Sequence, residues 1–350
     1  NSTKDDLNIP DSRILRPRNI IIHDNVDKKL YFIINIFNDE KIYNFKNKFL
    51  EINKQIEEMV FLANYNSINT NTNSNINKLS KIKSNISKKK FINNIKKAKK
   101  YIKIGDIFQV VLSQRFECKL NKKPIDIYKK LRKTNPSPFM YFFNFNDFQI
   151  IGASPEILVR LRDDKITIRP IAGTRPRGKN KKQDKFLEKD LLKDKKELSE
   201  HLMLLDLGRN DTGKVSKINS VKVTESFKIE RYSHVMHIVS NVEGFFNKKF
   251  TKFDTLLSGF PAGTVSGAPK IRAMQIIDEL ENTRRKVYAG GIGYFASNGD
   301  FDTCIALRTA ISKNNKFYVQ SGAGIVADSK PVNEFKETVN KAKALIKALE

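Results

Sequence analysis

The stretch 139–169, FMYFFNFNDFQIIGASPEILVRLRDDKITIR, decides how the chain is read. It is rich in aromatic and β-branched residues and reads as several strands in sequence. On its C-terminal side, 181–207 reads as one long charged helix and 215–246 alternates like further strands. Residues 268–281 form a helix after a Gly-rich turn, 288–326 give three strands punctuated by glycine, and 331–349 form a closing helix with proline in its first turn. On the N-terminal side, 106–117 is a strand and 124–133 a short helix. Residues 88–103 are a lysine-rich helix with Phe91, Ile95, Ala98 and Ile102 on one face. Residues 41–64 read as a helix, with Phe45, Phe49, Ile52, Ile56 and Val60 at helical spacing, and 18–37 as two strands with a turn near 24–28. Antiparallel meanders with helices between them predict an α+β fold, not a doubly wound βαβ sheet. Residues 64–87, dominated by Asn, Ser and Thr, read as a loop or linker. The expected organisation is an N-terminal region over 1–64, an Asn/Ser/Lys-rich linker over 65–90 and one large domain over 91–350.

Composition narrows the class. The 350 residues include 65 Lys+Arg against 38 Asp+Glu, a formal charge of +27, yet 39% are hydrophobic, enough for a core. Two cysteines, Cys118 and Cys304, exclude a disulfide scaffold and a Cys-rich zinc module. No apolar run approaches the roughly 18–20 residues needed to cross a bilayer. The N-terminus is polar, without the apolar stretch of a signal peptide, so a cytoplasmic location is expected. It carries no Met and reads as a fragment or a processed product. The charge excess is mostly lysine scattered among Asn and Ile, whereas nucleic-acid sites cluster Arg with aromatics. Solvated lysine faces therefore explain +27 better than a nucleic-acid partner, and neither nucleic acid nor membrane is expected.

Four groups of residues could carry chemistry. Glu197 and Glu200 lie three apart on a predicted helix and so share a face, and Glu334 and Glu337 repeat the spacing on the last helix. Carboxylates from two helices can converge on Mg²⁺, which prefers oxygen ligands and keeps waters, although such pairs are more often surface. The glycine-rich turns 261–269, 290–293 and 321–324 expose N–H groups able to hold an anion. None matches a phosphate-loop or dinucleotide fingerprint, which disfavours a nucleotide and leaves a small carboxylated anion or ordinary turn glycines as the readings. Of the histidines, His23 reads as structural, His201 follows Glu200, and His234 and His237 point to opposite faces of a strand, so at most one faces a given site. Arg169, Arg175 and Arg177 could fork onto carboxylates.

Read together, the segments 105–115, 135–140, 152–156, 169–178, 200–211, 231–240, 261–274, 288–295, 302–308 and 320–329 resemble the chorismate-utilising enzymes, most closely their anthranilate synthase component I branch. The resemblance spans about residues 95–350. It implies two packed antiparallel sheets flanked by helices, with 91–350 as the chorismate-binding catalytic domain. It implies that ammonia adds to chorismate at C2 as the C4 hydroxyl leaves, and that pyruvate is then eliminated to give anthranilate, the first step of tryptophan biosynthesis. By resemblance Glu200 and Glu337 are Mg²⁺ ligands with Glu197 and Glu334 supporting. Arg308, Tyr288, the backbone amides of Gly322, Ala323 and Gly324, and Gly173 and Thr174 hold chorismate. Glu156 is the general acid for the departing hydroxyl, His237 removes a proton during aromatisation, and Thr264 lines the pocket. Pro138, Phe139 and Met140 resemble one half of a tryptophan feedback pocket; no segment like the Leu-Leu-Glu-Ser of the other half is found.

Two positions discriminate within the family. The isochorismate and salicylate synthases carry a water-activating Lys where this chain has Gln109, and ammonia needs no such base. The aminodeoxychorismate synthases of the folate pathway carry a nucleophilic Lys where this chain has Ala172, so they are the second reading. No amidotransferase motif is present. The resemblance therefore implies a hetero-oligomer in which a separate glutamine amidotransferase subunit (component II) delivers ammonia.

Overall fold

The computed structural model describes residues 3–65, 82–120, 122–232 and 235–347. They divide into two compact units, residues 10–76 and residues 1–9 with 77–350. In the smaller unit, β1 (Asn19–Asp24) and β2 (Lys29–Ile34) form the expected antiparallel hairpin. The Asp24 carboxylate closes its turn by accepting from the Val26 and Asp27 N–H groups at 2.8 and 3.0 Å. The helix α1 (Phe45–Asn64) starts four residues later than expected, because Asn44 caps it by accepting from Asn47 N. Of its apolar stripe only Ile52 is buried; Phe45, Phe49 and Val60 are exposed.

The larger unit holds two seven-stranded antiparallel sheets among the described residues. The strands of one are β3 (Lys83–Ser84), β4 (Gln109–Lys119), β5 (Phe139–Asn144), β6 (Gln149–Ser154), β12 (Gly267–Ala268), β15 (Thr309–Lys313) and β16 (Lys316–Ile325), in the path β12-β4-β16-β15-β6-β5 with β3 also on β4. The strands of the other are β7 (Ile157–Arg162), β8 (Lys165–Ile168), β9 (Ile171–Pro176), β10 (Lys222–Arg231), β11 (Val235–Phe245), β13 (Gly291–Phe295) and β14 (Phe301–Ile305), in the path β10-β11-β8-β7-β14-β13 with β9 also on β11. The helices are α2 (Lys88–Lys103), α3 (Pro124–Thr134), α4 (Lys181–Leu191), α5 (Lys195–Gly213), α6 (Lys252–Gly259), α7 (Lys270–Leu280) and α8 (Pro331–Ile346).

The helices close the faces of the sheets. Phe91, Ile95 and Ala98 of α2 and Ala273, Ile276 and Leu280 of α7 pack on Val110, Leu112, Ala323 and Ile325 of β4 and β16. This is the face read from the sequence, and each such large apolar side chain contributes about 1.5–3 kcal/mol on burial. The sheets meet through a cluster that joins Tyr141, Ile150 and Ile311 to Cys304 and Ile292, with Leu7 and Ile9 of the N-terminal strap. The fold is thus the expected α+β pair of packed antiparallel sheets.

Two expectations need correction. The single helix over 181–207 is two, α4 and α5, because Asp194 turns its carboxylate onto the N–H groups of Lys196 and Glu197 and starts a new helix. The three strands over 288–326 are four, β13 to β16. Most of the 64–87 stretch read as a linker lies outside the described residues.

Candidate active site

The carboxylate pairs sit as their spacing requires. Glu197 and Glu200 share a face of α5, and Glu334 and Glu337 lie on α8. Burial pushes the carboxyls of Glu200, Glu197 and Glu334 upward, and negative neighbours push them further: Glu197 and Glu337 act on Glu200, Asp194 and Glu337 on Glu197, and Glu337 on Glu334. Glu337 of α8 is therefore the common neighbour, its charge reaching Glu197 and Glu200 on α5 and Glu334 on its own helix. Gln109, buried at the start of β4, donates its amide to Glu200 Oε1 at 3.0 Å, while its own Oε1 is buried without a partner. As they stand, no three His, Cys, Asp or Glu side chains among the described residues are gathered tightly enough to hold a metal ion.

The strand β16 supplies the adjoining wall. Side chains alternate along it, and Ala323 points into the core beneath α2 and α7. Gly322 and Gly324 therefore present bare backbone on the opposite face. A Cβ on Gly324 would lie 2.5 Å from Gln109 Nε2, and one on Gly322 would lie 2.6 Å from the Tyr288 hydroxyl. Only glycine allows this approach. Tyr288 is buried, which pushes its phenol up to about 12. Lys341, one turn beyond Glu337, donates to Glu337 Oε1 at 2.7 Å and to the Gly322 carbonyl at 3.2 Å. Its charge also reaches Glu156 and His237. Sequence reading missed Lys341; its i,i+4 spacing from Glu337 was the available signal.

Glu156 follows the β6–β7 corner and is 6% exposed. Burial pushes its carboxyl up to about 8, and Thr264, Arg308 and Lys341 draw it partly back. Thr264 sits in a short 3-10 turn, Gly263–Val265, and its hydroxyl is buried without a hydrogen bond of normal geometry. A cavity of about 30 Å³, room for one water, opens beside both residues. The Arg308 guanidinium is largely buried, and burial lowers its pKa against the pull of Tyr232 and Glu156. Among the described residues it makes no ion pair, whereas the other arginines of interest are all engaged. Arg169 pairs with Glu225 and Glu230, Arg175 with Asp190 and Asp194 at 2.7 and 2.8 Å, and Arg177 with Asp184. The arginine string 169–178 thus forks onto carboxylates of its own chain.

His237 lies on β11 opposite Thr174 of β9. Its Nδ1 is 2.9 Å from the Gly173 carbonyl and 3.1 Å from Thr174 Oγ1. A carbonyl only accepts, so Nδ1 carries the proton and Nε2 keeps its lone pair. Burial lowers the pKa of the ring, the hydrogen bond to Gly173 opposes this, and Arg308 and Lys341 add to the lowering, so the neutral ring is favoured. Gly173, at φ +68°, makes the bend that turns its carbonyl to the ring.

The remaining candidates stand apart. His201 is fully buried with Nε2 2.6 Å from Ser240 Oγ and its pKa pushed down to about 4, a core residue. His23 is on the exposed hairpin, and His234 lies outside the described residues. Phe139 and Met140, at the start of β5, pack into two core clusters, and Pro138 before them is exposed. Cys304 is a buried free thiol.

Comparison with known proteins gives a consistent picture. The chain is 64% identical over 256 residues to anthranilate synthase component 1 of Cereibacter sphaeroides, covering 73% of this chain and 51% of that one. It is 48% identical over 354 residues to that of Acetivibrio thermocellus, covering 100% and 71%. It thus spans about half to seven tenths of the length of these relatives. The crystal structure of anthranilate synthase component I from Streptococcus pneumoniae superposes with a TM-score of 0.86 at 42% identity, covering 94% of this chain and 72% of that one. The menaquinone-specific isochorismate synthase of Escherichia coli superposes with a TM-score of 0.72 at 25% identity, covering 85% and 68%. The profile of the chorismate binding enzymes matches residues 1–347, and the chain belongs to that family.

Proposed function

We propose that this chain is the large component of an anthranilate synthase, a carbon–oxygen lyase that aminates chorismate with ammonia and eliminates pyruvate, the first step of tryptophan biosynthesis. The observation that carries the reading is Glu156, whose burial favours its protonated form, within the electrostatic reach of the Arg308 guanidinium, which makes no ion pair among the described residues. An acid and an anion holder close enough to feel each other's charge are what a dianionic substrate losing a hydroxyl requires. Residues 91–350 form the catalytic domain.

Arg308, Tyr288, Lys341 and the bare backbone at Gly322–Gly324, with Gly173 and Thr174, would hold chorismate through its carboxylates. As ammonia forms the C2–N bond, Glu156 gives its proton to the departing C4 oxygen, which leaves as water. His237 Nε2 then takes the C2 proton while the C3–O bond breaks, and the enolpyruvate that departs takes a proton at its methylene carbon to become pyruvate. Gln109 donates to Glu200 and offers no amine to activate water, which supports an ammonia user. Ala172 offers no covalent amine, which disfavours the aminodeoxychorismate reading.

The four-glutamate set fits Mg²⁺, which commonly takes one or two protein carboxylates and completes its shell with water and substrate oxygens. Glu200 and Glu337 would be its ligands, with Glu197 and Glu334 behind. When bound, the ion supplies the positive charge that lets a substrate carboxylate approach these glutamates. Ammonia would come from a separate glutamine amidotransferase subunit. Tryptophan feedback would engage Pro138, Phe139 and Met140. Among the described residues no helix is long and apolar enough to cross a membrane, and we place the enzyme in the cytoplasm.

The test is anthranilate fluorescence from chorismate, Mg²⁺ and an ammonium salt, repeated with glutamine and the partner subunit. Aminodeoxychorismate without anthranilate would reassign the chain to the folate branch.

A further inference from the structure

Beneath the site lies an ion pair that the chemistry above does not use. Arg285 and Glu281 are both largely buried, with side chains 16% and 7% exposed. Arg285 Nε and Nη2 fork onto Glu281 at 2.9 and 2.5 Å, Nη1 donates to the Val265 carbonyl at 2.7 Å, and Nη2 also donates to the Val111 carbonyl at 2.7 Å. The guanidinium lies 5.4 Å from the centre of the Tyr288 ring. Glu281 Oε1 in turn accepts from Ser113 N and Oγ at 2.8 and 2.9 Å. Each contact lands next to a residue of the site. Val265 shares its turn with Thr264, while Val111 and Ser113 of β4 stand opposite Gly324 and Gly322 of β16.

We infer that the Arg285–Glu281 pair is a positioning element: it fixes the Thr264 turn, the Tyr288 ring and the backbone behind Gly322–Gly324 in one mutual geometry. This rests on the chorismate reading of the site. A buried ion pair adds little net stability, because desolvation offsets the attraction. What it adds here is a planar fork that reaches a carboxylate and two carbonyls on separate elements at once. Lysine, a point charge on a flexible stem, cannot span them.

The test compares wild type with Arg285→Lys and Glu281→Gln in the full chain with Mg²⁺. It measures folding by circular dichroism, chorismate affinity by calorimetry, and KM and kcat by anthranilate fluorescence. A displacement of these walls by about an ångström should lower kcat/KM about 100-fold, with weaker chorismate binding, in a protein that remains folded. Adding Tyr288→Phe to Arg285→Lys should change KM less than the product of the single effects. Wild-type KM and affinity in folded variants would overturn the inference. So would a loss confined to the amount of active enzyme, and so would failure of both variants to fold, which would make the pair a folding element. If wild type itself neither binds nor converts chorismate, the functional reading falls instead.

Discussion

Replacing Glu156 with glutamine separates two roles that this carboxyl combines. Its pKa near 8, against an ordinary 4.5, arises first from burial. At roughly 1.4 kcal/mol per pH unit, charging it inside the fold costs on the order of 5 kcal/mol. Between about pH 4.5 and 8 the folded chain holds a proton that the unfolded chain releases, so stability falls as pH rises through that window. By pH 7 the loss amounts to about 3 kcal/mol. Glutamine keeps the shape and removes the proton equilibrium. The variant should therefore melt several degrees above wild type at pH 7–8 and level with it near pH 4.5. Its anthranilate formation at saturating ammonia should fall by about 10²–10⁴-fold, since an amide cannot protonate the leaving oxygen. In wild type, kcat/KM should decline above about pH 8 as Glu156 loses its proton, and the variant should lack that limb. The reasoning fails if Glu156→Gln keeps activity within tenfold of wild type, or if the melting difference is the same at pH 4.5 and pH 8.

Three further substitutions, with a fourth as control, probe the rest of the site. His237→Ala should slow pyruvate elimination more than amination, so an aminated, enolpyruvyl-bearing intermediate should accumulate on chromatography; equal loss of both half-reactions would count against the assignment. Glu337→Ala should abolish the Mg²⁺ dependence of turnover, read as a flat Mg²⁺ titration of anthranilate fluorescence, and an unchanged titration would refute the ligand role. Gly324→Ala puts a methyl 2.5 Å from Gln109 Nε2 and should raise the chorismate KM about tenfold by displacing the amide from Glu200. Gly213→Ala, where a Cβ meets nothing within 4 Å, should leave KM unchanged and serves as its control.

The sequence made legible whatever is local or motif-borne. The stripe Phe91, Ile95 and Ala98 needs only helical spacing, and it is buried as read. Glu200, His237 and Arg308 can be singled out because they sit inside ordered motifs, and Glu337 because it repeats on the last helix the three-residue spacing of Glu197 and Glu200. What could not be read depends on tertiary partners. Phe45 and Phe49 share the periodicity of a buried face yet are exposed, since periodicity says which residues share a side and not whether anything covers it. The break between α4 and α5 turns on one aspartate choosing backbone N–H groups over solvent. Arg285 and Glu281 are four apart on paper, an ordinary surface spacing. Only the approach of the Val265 turn and of β4, more than 150 residues away in sequence at Val111, makes them the underside of a site.

The bare face of β16 has a consequence for how the site can vary. Its pairing with β4 runs without a shift from Lys316↔Lys119 to Ile325↔Val110. Because neighbouring residues on a strand face opposite ways, moving β16 by one position would carry the Ala323 methyl onto the face toward Gln109 and Tyr288 and a glycine into the core. The proposed binding surface is thus a matter of phase as much as of composition. Exchanges of side chain on the outer strands leave that phase alone, but a single insertion or deletion between 316 and 325 would invert the wall while keeping every residue type.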